Sequence, residues 1–116
     1  MSITVRREGG YDIVQLTGDV DLSCSPDARR AILSSLQQGH HTLVDLRAVT
    51  YIDSSGVASL VEGYQAARKL ALRFGLVDVS EAAMSVLGLA QLDKVFPIHA
   101  SLAARLAADG AAPGAG

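Results

Sequence analysis

Two spacings of apolar residues alternate along this chain, and the alternation restricts the fold more than any single residue does. Leu43-Val44-Asp45-Leu46 is a short aliphatic run with the length and content of a strand. Shortly after it, Val57, Leu60, Val61 and Tyr64 fall at i, i+3, i+4 and i+7, the spacing of one buried helix face. The same exchange recurs on both sides. Residues 3–7, with Ile3 and Val5, and residues 12–17, with Ile13, Val14 and Leu16, read as two strands. Glu8-Gly9-Gly10 between them is a turn signal, so the pair forms a hairpin. Thr17-Gly18-Asp19-Val20-Asp21 then reads as a polar loop. Ser25-Pro26 reads as an N-cap followed by proline at the first helical position. The helix it opens carries Ala28, Ile32, Leu33 and Leu36 on one face and ends near Gly39.

Downstream, Phe74 to Val79 reads as a fourth strand. Residues 81–91 read as a helix with Ala83, Val86, Leu87 and Ala90 on one face, weakened by Gly88. Val95 to Ile98 is a fifth strand, and Ser101 to Ala108 a last helix with Leu102 and Leu106 on one side. Strand alternating with helix predicts an α/β fold: a mostly parallel mixed sheet of about five strands, with the hairpin as its antiparallel part, and about four helices. The 116 residues suit one domain with one real core, expected over residues 1–108, with residues 109–116 a flexible tail of small residues. Aromatic residues make up only 4% and Trp is absent, so the core must be built from Leu, Val, Ile and Ala.

Charge and cysteine content narrow the function. The net charge is −2, and the basic residues are scattered as Arg6/Arg7, Arg29/Arg30 and Arg68/Lys69. No basic face with interleaved aromatics is present, which argues against nucleic-acid binding. The lone Cys24 cannot form a disulfide within the chain and makes a thiolate metal site improbable. The N-terminus MSITVRREGG has no apolar signal region, and no apolar run nears the roughly 18 residues a membrane span needs. The expectation is a cytoplasmic protein without direct membrane insertion and without a cofactor.

One stretch carries chemistry: Asp53-Ser54-Ser55-Gly56, between the third strand and the helix that follows. Sites in α/β sheets form outside the carboxyl ends of the strands, where helices begin. A helix starting at Ser54 or Ser55 presents free backbone N–H groups and the positive end of its dipole there. A phosphate on a serine at that point has those N–H groups to accept from, and phosphorylation adds about −1.5 to −2 charges. Asp53 is adjacent, and the loop carrying Asp19 and Asp21 should lie beside it, so the same phosphate meets repulsion. The alternative is structural: Asp53 or Ser54 caps the helix. Gly56 costs about 0.5–1 kcal/mol relative to Ala in a helix, which implies either close access or tight packing against a strand.

At these residues the sequence resembles a family. VDLRAVTYIDSSGVASL, residues 44–60, looks like the signature of STAS domains, shared by sulphate transporters and anti-sigma factor antagonists. Gly18-Asp19-Val20-Asp21 resembles that family's Gly-Glu-Leu-Asp loop. Leu76-Val77-Asp78-Val79-Ser80, Val86-Leu87 and Phe96-Pro97-Ile98 continue the pattern, from about residue 3 to 107. The resemblance implies a single-domain antagonist in which Ser55 is phosphorylated by an anti-sigma factor that is also a serine kinase, and is reset by a phosphatase. It implies a partner-binding surface of Asp19, Asp21, Ser23, Asp53, Ser54, Ser55, Gly56 and Val57. It also leaves a second role open, an accessory subunit docking on the ATPase of a phospholipid-trafficking ABC transporter. Asp19 stands where the family usually has Glu, and Val57-Ala58 where Leu or Leu-Gly is common; neither change removes the hydroxyl.

Catalysis has no support in the residues. Ser55 lacks the Gly-x-Ser-x-Gly elbow, and no phosphate-binding GxxxxGK[ST] loop is present. His40 and His41 lie between a helix and a strand, at the end of the sheet opposite Asp53, and read as solvated loop. Asp12 and Asp78 read as strand-edge polar residues, Tyr64 as core or helix surface, and Cys24 as a small residue near a helix start.

Overall fold

The computed structural model of the protein describes residues 1–110. The elements run β1 (Ser2–Glu8), β2 (Tyr11–Val20), α1 (Ser25–Gln37), β3 (His41–Ile52), α2 (Ser54–Lys69), β4 (Phe74–Val77), α3 (Glu81–Leu89), β5 (Ile98–His99) and α4 (Leu102–Gly110). The five strands form one sheet in the order β1-β2-β3-β4-β5. β1 and β2 are antiparallel, and every other pair is parallel. This is the predicted α/β architecture. Gly9 and Gly10 close the hairpin with φ of 61° and 86°. A two-residue turn with both central residues at positive φ matches the right-handed twist of the strands it joins.

Side-chain alternation divides the core. Val14 and Leu16 on β2, Val44 and Leu46 on β3, and Leu76 on β4 pack with Ile32, Leu36, Leu60 and Leu87 from the first three helices. Ile13, Leu43 and Val77 point to the other face, where α4 covers them with Leu102 and Leu106. Period-2 alternation thus gives a sheet dressed on both faces. α4 runs from Leu102 to Gly110, and residues 111–116 of the expected tail lie outside the described residues.

Several boundaries differ from the sequence expectation. The third strand was expected at 43–46 but runs to Ile52, and the supposed polar loop from Thr17 is strand up to Val20. The two extensions pair with each other: Thr17 with Ala48, Gly18 with Val49, Asp19 with Tyr51, and Val20 with Ile52. Register shifts on either side of Gly18, whose φ is 81°, absorb the mismatch. The extension buries Val20, Val49 and Ile52, which the intervening polar residues concealed.

The helix α1 starts at Ser25, so Ser25 is inside the helix rather than its cap. Cys24 holds the cap position without a side-chain cap bond. The main chain does that work instead, since Asp21 O accepts Cys24 N at 3.1 Å and Ser25 N at 2.8 Å. β4 stops at Val77 because Asp78 turns into the left-handed region with φ 50°, and its carboxylate accepts Leu102 N. β5 shrinks to Ile98–His99, because Val95 N and Phe96 N are spent on Leu92 O in a turn. The histidine pair is not a solvated loop. His40 Nδ1 lies 2.9 Å from Asp12 Oδ2, and His41, the first residue of β3, accepts Arg73 N on its Nδ1 at 2.9 Å. Asp12 is likewise buried rather than an edge polar residue, held by Arg7 at 3.0 Å and by His40.

Candidate functional site

The carboxyl ends of β2 and β3 bring two loops together. Val20 pairs with Ile52, and beyond that pair Asp53 N donates to Val20 O at 3.2 Å. Asp19 near the end of β2, with Asp21 and Ser23 on the loop after it, therefore lies on the same edge as Asp53, Ser54, Ser55 and Gly56. Thr50 and Asp19 fasten the strand ends with a 2.7 Å hydrogen bond from the Thr50 hydroxyl to Asp19 Oδ1.

The cap of α2 is Asp53, with extended backbone (φ −105°, ψ −174°). Its Oδ1 accepts Ser55 N at 3.0 Å, Gly56 N at 3.1 Å and the Ser55 hydroxyl at 2.5 Å. One carboxylate oxygen thus satisfies two orphan N–H groups of the helix and fixes a side-chain rotor. Ser54 is exposed, while Ser55 is half-buried. Ser55 is therefore the serine with a defined hydroxyl direction. The N–H groups of Ser55 and Gly56 are occupied by Asp53, so they are not free for a phosphate as the sequence reading supposed.

A second Asp-x-Ser turn sits alongside. Asp21 Oδ1 accepts Ser23 N at 3.0 Å and the Ser23 hydroxyl at 2.6 Å. The Cys24 thiol contributes a longer contact to Asp21 Oδ1 at 3.4 Å and one to Asp19 O at 3.2 Å. The thiol thus joins the loop's hydrogen bonding.

These bonds lower both acids. The Ser55 hydroxyl is the largest cause for Asp53, followed by the backbone N–H of Gly56, against a small burial penalty. The Ser23 hydroxyl leads for Asp21, then the Cys24 side chain. Both carboxyls sit below their ordinary value of 3.8. A depressed folded pKa stabilises the fold above the ordinary value and loses that contribution as pH falls through the folded value. Asp53→Asn keeps a good cap and removes the charge. Its stability deficit relative to the parent, measured by urea unfolding, is expected at neutral pH and to shrink as pH falls below about 4. A deficit that stays constant over that range would show that the charge contributes nothing.

Gly56 owes its place to packing rather than to access. A Cβ there would lie 2.7 Å from Ile52 Cγ1 and 2.8 Å from Val20 O. Ser59 supports the turn from below, its hydroxyl within 3.2 Å of Ser25 O and 3.1 Å of Ser55 O, which ties α2 to α1. Val57 is buried and so belongs to the core behind the site. Two residues that the sequence reading passed over stand out at this end: Leu22, 74% exposed, and Tyr51, 51% exposed. The available signal was an apolar residue inside a polar loop, Leu22 between Asp21 and Ser23. Among the described residues no group of three or more His, Cys, Asp or Glu could hold a metal ion, and no helix is long and apolar enough to cross a membrane.

This geometry, a five-stranded mixed sheet with a capped Asp-Ser-Ser-Gly turn beside an acidic loop, coincides with a known family. The STAS domain model matches residues 2–104, and the chain belongs to the STAS family. The anti-sigma F factor antagonist of Paenibacillus polymyxa is 25% identical over 101 residues, covering 85% of this chain and 86% of that protein. An anti-sigma factor antagonist of Mycobacterium paratuberculosis has a crystal structure that superposes with a TM-score of 0.81, at 27% identity and 92% coverage of both chains. The phosphorylated form of the Bacillus cell-fate determinant SpoIIAA shares the fold at a TM-score of 0.69, with 18% identity over 96% of this chain and all of that one (100%).

Proposed function

We propose that this protein is an anti-sigma factor antagonist: a binding module that engages an anti-sigma factor kinase while Ser55 is unmodified and releases it once Ser55 carries phosphate. The observation that carries the reading is the Ser55 hydroxyl, fixed by Asp53 at 2.5 Å at the start of α2 and flanked by the acidic segment Asp19–Ser23 at the end of β2. Relatives named as anti-sigma factor antagonists support it.

The chemistry is a phosphoryl transfer done by the partner. The γ-phosphoryl of a nucleoside triphosphate bonds to Ser55 Oγ as its bond to the leaving nucleoside diphosphate breaks, and the hydroxyl proton passes to a base of the kinase. Because that proton points at Asp53 Oδ1, a lone pair of Oγ faces away from the carboxylate. A phosphate there stands next to Asp53, whose Oδ1 already takes the N–H groups of Ser55 and Gly56. The product is a large electrostatic change at this surface, which suits a partner switch. Leu22 and Tyr51 give the same surface apolar area that a partner can bury. The protein supplies no catalysis of its own, a phosphatase removes the group, and the switch operates in the cytoplasm.

The test is phosphorylation by the cognate kinase with site mapping on the parent chain, Ser54→Ala and Ser55→Ala. Phosphate on Ser55 in the parent and in Ser54→Ala, and none in Ser55→Ala, is the expected result. Phosphate confined to Ser54 would overturn the assignment.

A further inference from the structure

β1 is an outer strand of the sheet, and the switch makes no use of it. Among the described residues it pairs only with β2, in register from Ser2 to Glu8. A strand paired on one side presents its remaining backbone N–H and C=O groups outward as an open row. Nothing in the burial of β1 hides that row: every residue of the strand is exposed except Ile3, which is half-buried.

A groove runs beside this edge. Its volume is about 370 Å³, and it lies between Val5, Arg6 and Arg7 of β1 and Ala31, Ser34 and Ser35 of α1. Ile3 packs against the core beneath α1, so the alternate residues Val5 and Arg7 point to that same face of the sheet. The α1 wall is made of short side chains, and Val5 stands 50% exposed across from it. Asp12 also lines the groove, but it is buried and its charge is met within the protein. Arg7 Nη1 donates to its Oδ1 at 3.0 Å, and His40 Nδ1 lies 2.9 Å from its Oδ2. Arg6 meets Glu8 at 3.3 Å, with both side chains largely in solvent. Exposed pairs of that kind contribute little and exchange readily.

We propose that this edge docks an extended segment of a partner protein, which adds to β1 as a further antiparallel strand and carries apolar and acidic side chains. The open row of backbone groups calls for an extended occupant, since a strand laid alongside satisfies it. An apolar side chain of that segment lies against Val5 and Ala31 in the groove. Acidic side chains stand across from Arg6 and Arg7, where cross-strand pairs of opposite charge are favourable. A second copy of this chain fits the edge less well. In the antiparallel pairing that overlaps all of β1, Val5 faces Val5 and the two Arg6 residues become diagonal neighbours, like charges about 7–8 Å apart. Charged side chains on an edge strand keep copies from pairing. No residue of β1 belongs to the Asp53–Gly56 turn or to the Asp19–Ser23 segment. The proposal therefore stands whether or not Ser55 is the phosphoacceptor.

The experiment is an amide-resolved NMR titration of the full chain with the peptide acetyl-Thr-Glu-Glu-Val-Thr-Val-amide. Laid antiparallel, it sets its two Glu across from Arg7 and Arg6 and its first Val across from Val5. The expected result is saturable shifts confined to residues 2–17 and 27–40. Two further peptides carry N-methyl groups on alternate residues, one on the odd set and one on the even set. Only one of these sets can face β1, so one methylated peptide should lose binding and the other keep it. The peptide with Lys in place of both Glu should bind at least about ten-fold more weakly, and Arg6→Glu should narrow or reverse that preference. The two methylated peptides behaving alike, equal binding of the Glu and Lys peptides, or no saturable shift in these segments would overturn the proposal. Shifts in β1 that follow protein concentration without any peptide would overturn it in favour of a second copy as occupant.

Discussion

On the proposed function, Ser55→Glu is expected to lose binding to an anti-sigma factor, while Ser55→Ala keeps it. The alanine removes only the hydroxyl's bond to Asp53; the carboxylate still caps the helix through Ser55 N and Gly56 N. The glutamate places a second carboxylate at a position whose hydroxyl oxygen lies 2.5 Å from Asp53 Oδ1. Two like charges held this close repel each other. The new side chain therefore swings outward, into the surface a partner must cover. An unpaired charge buried at an interface costs several kcal/mol, and an affinity loss of roughly a hundred-fold or more is expected by calorimetry with the cognate anti-sigma factor. Ser54→Glu is the informative control. Ser54 is exposed and carries none of the cap, so its carboxylate can stay in solvent and the loss should be several-fold smaller. Equal losses at both positions would mean that the surface responds to charge in general and that the Asp53–Ser55 arrangement has no special role.

How far the sequence foretold this site depended on the kind of signal. The strand–helix exchange around Leu43–Leu46 and Val57–Tyr64 carries its own periodicity, and it placed the turn at Asp53 correctly. The extension of β2 and β3 had no such signal. Gly18 and Asp19 are poor strand residues locally, and they are strand only because Val49 and Tyr51 pair with them across a shift at Gly18. That is a tertiary decision, invisible to a window of neighbours. The histidines failed for the same reason. His40 finds Asp12, 28 residues away, and no local pattern announces the pair. The expectation that Ser55 rather than Ser54 takes the phosphate came from family resemblance; the structure distinguishes the two serines by the hydroxyl bond of Ser55 to Asp53 Oδ1.

Two glycine-to-alanine changes should move stability in opposite directions in one thermal-melt series. At Gly88 in α3 nothing lies within 4 Å of an added Cβ. Alanine there should stabilise by about 0.5–1 kcal/mol, the helix preference for Ala over Gly. At Gly56 the same preference is opposed by contacts of 2.7 Å to Ile52 Cγ1, 2.8 Å to Val20 O and 3.0 Å to Val20 Cγ1. Both neighbours are confined: Ile52 and Val20 are buried, and Val20 O also holds Asp53 N. Overpacking of this kind costs typically about 1–3 kcal/mol, so Gly56→Ala should be destabilised by about 1 kcal/mol or more. For a chain of this size that lowers Tm by roughly 4 °C or more. The strain has one soft exit, movement of the α2 start away from Val20, and that breaks the link between the two loops. Gly56→Ala should therefore weaken anti-sigma factor binding as well as stability, whereas Gly88→Ala changes stability alone. If Gly56→Ala melted at or above the parent temperature, the close approach of α2 to β2 and β3 would be wrong, and with it the geometry that sets Ser55 beside the acidic loop.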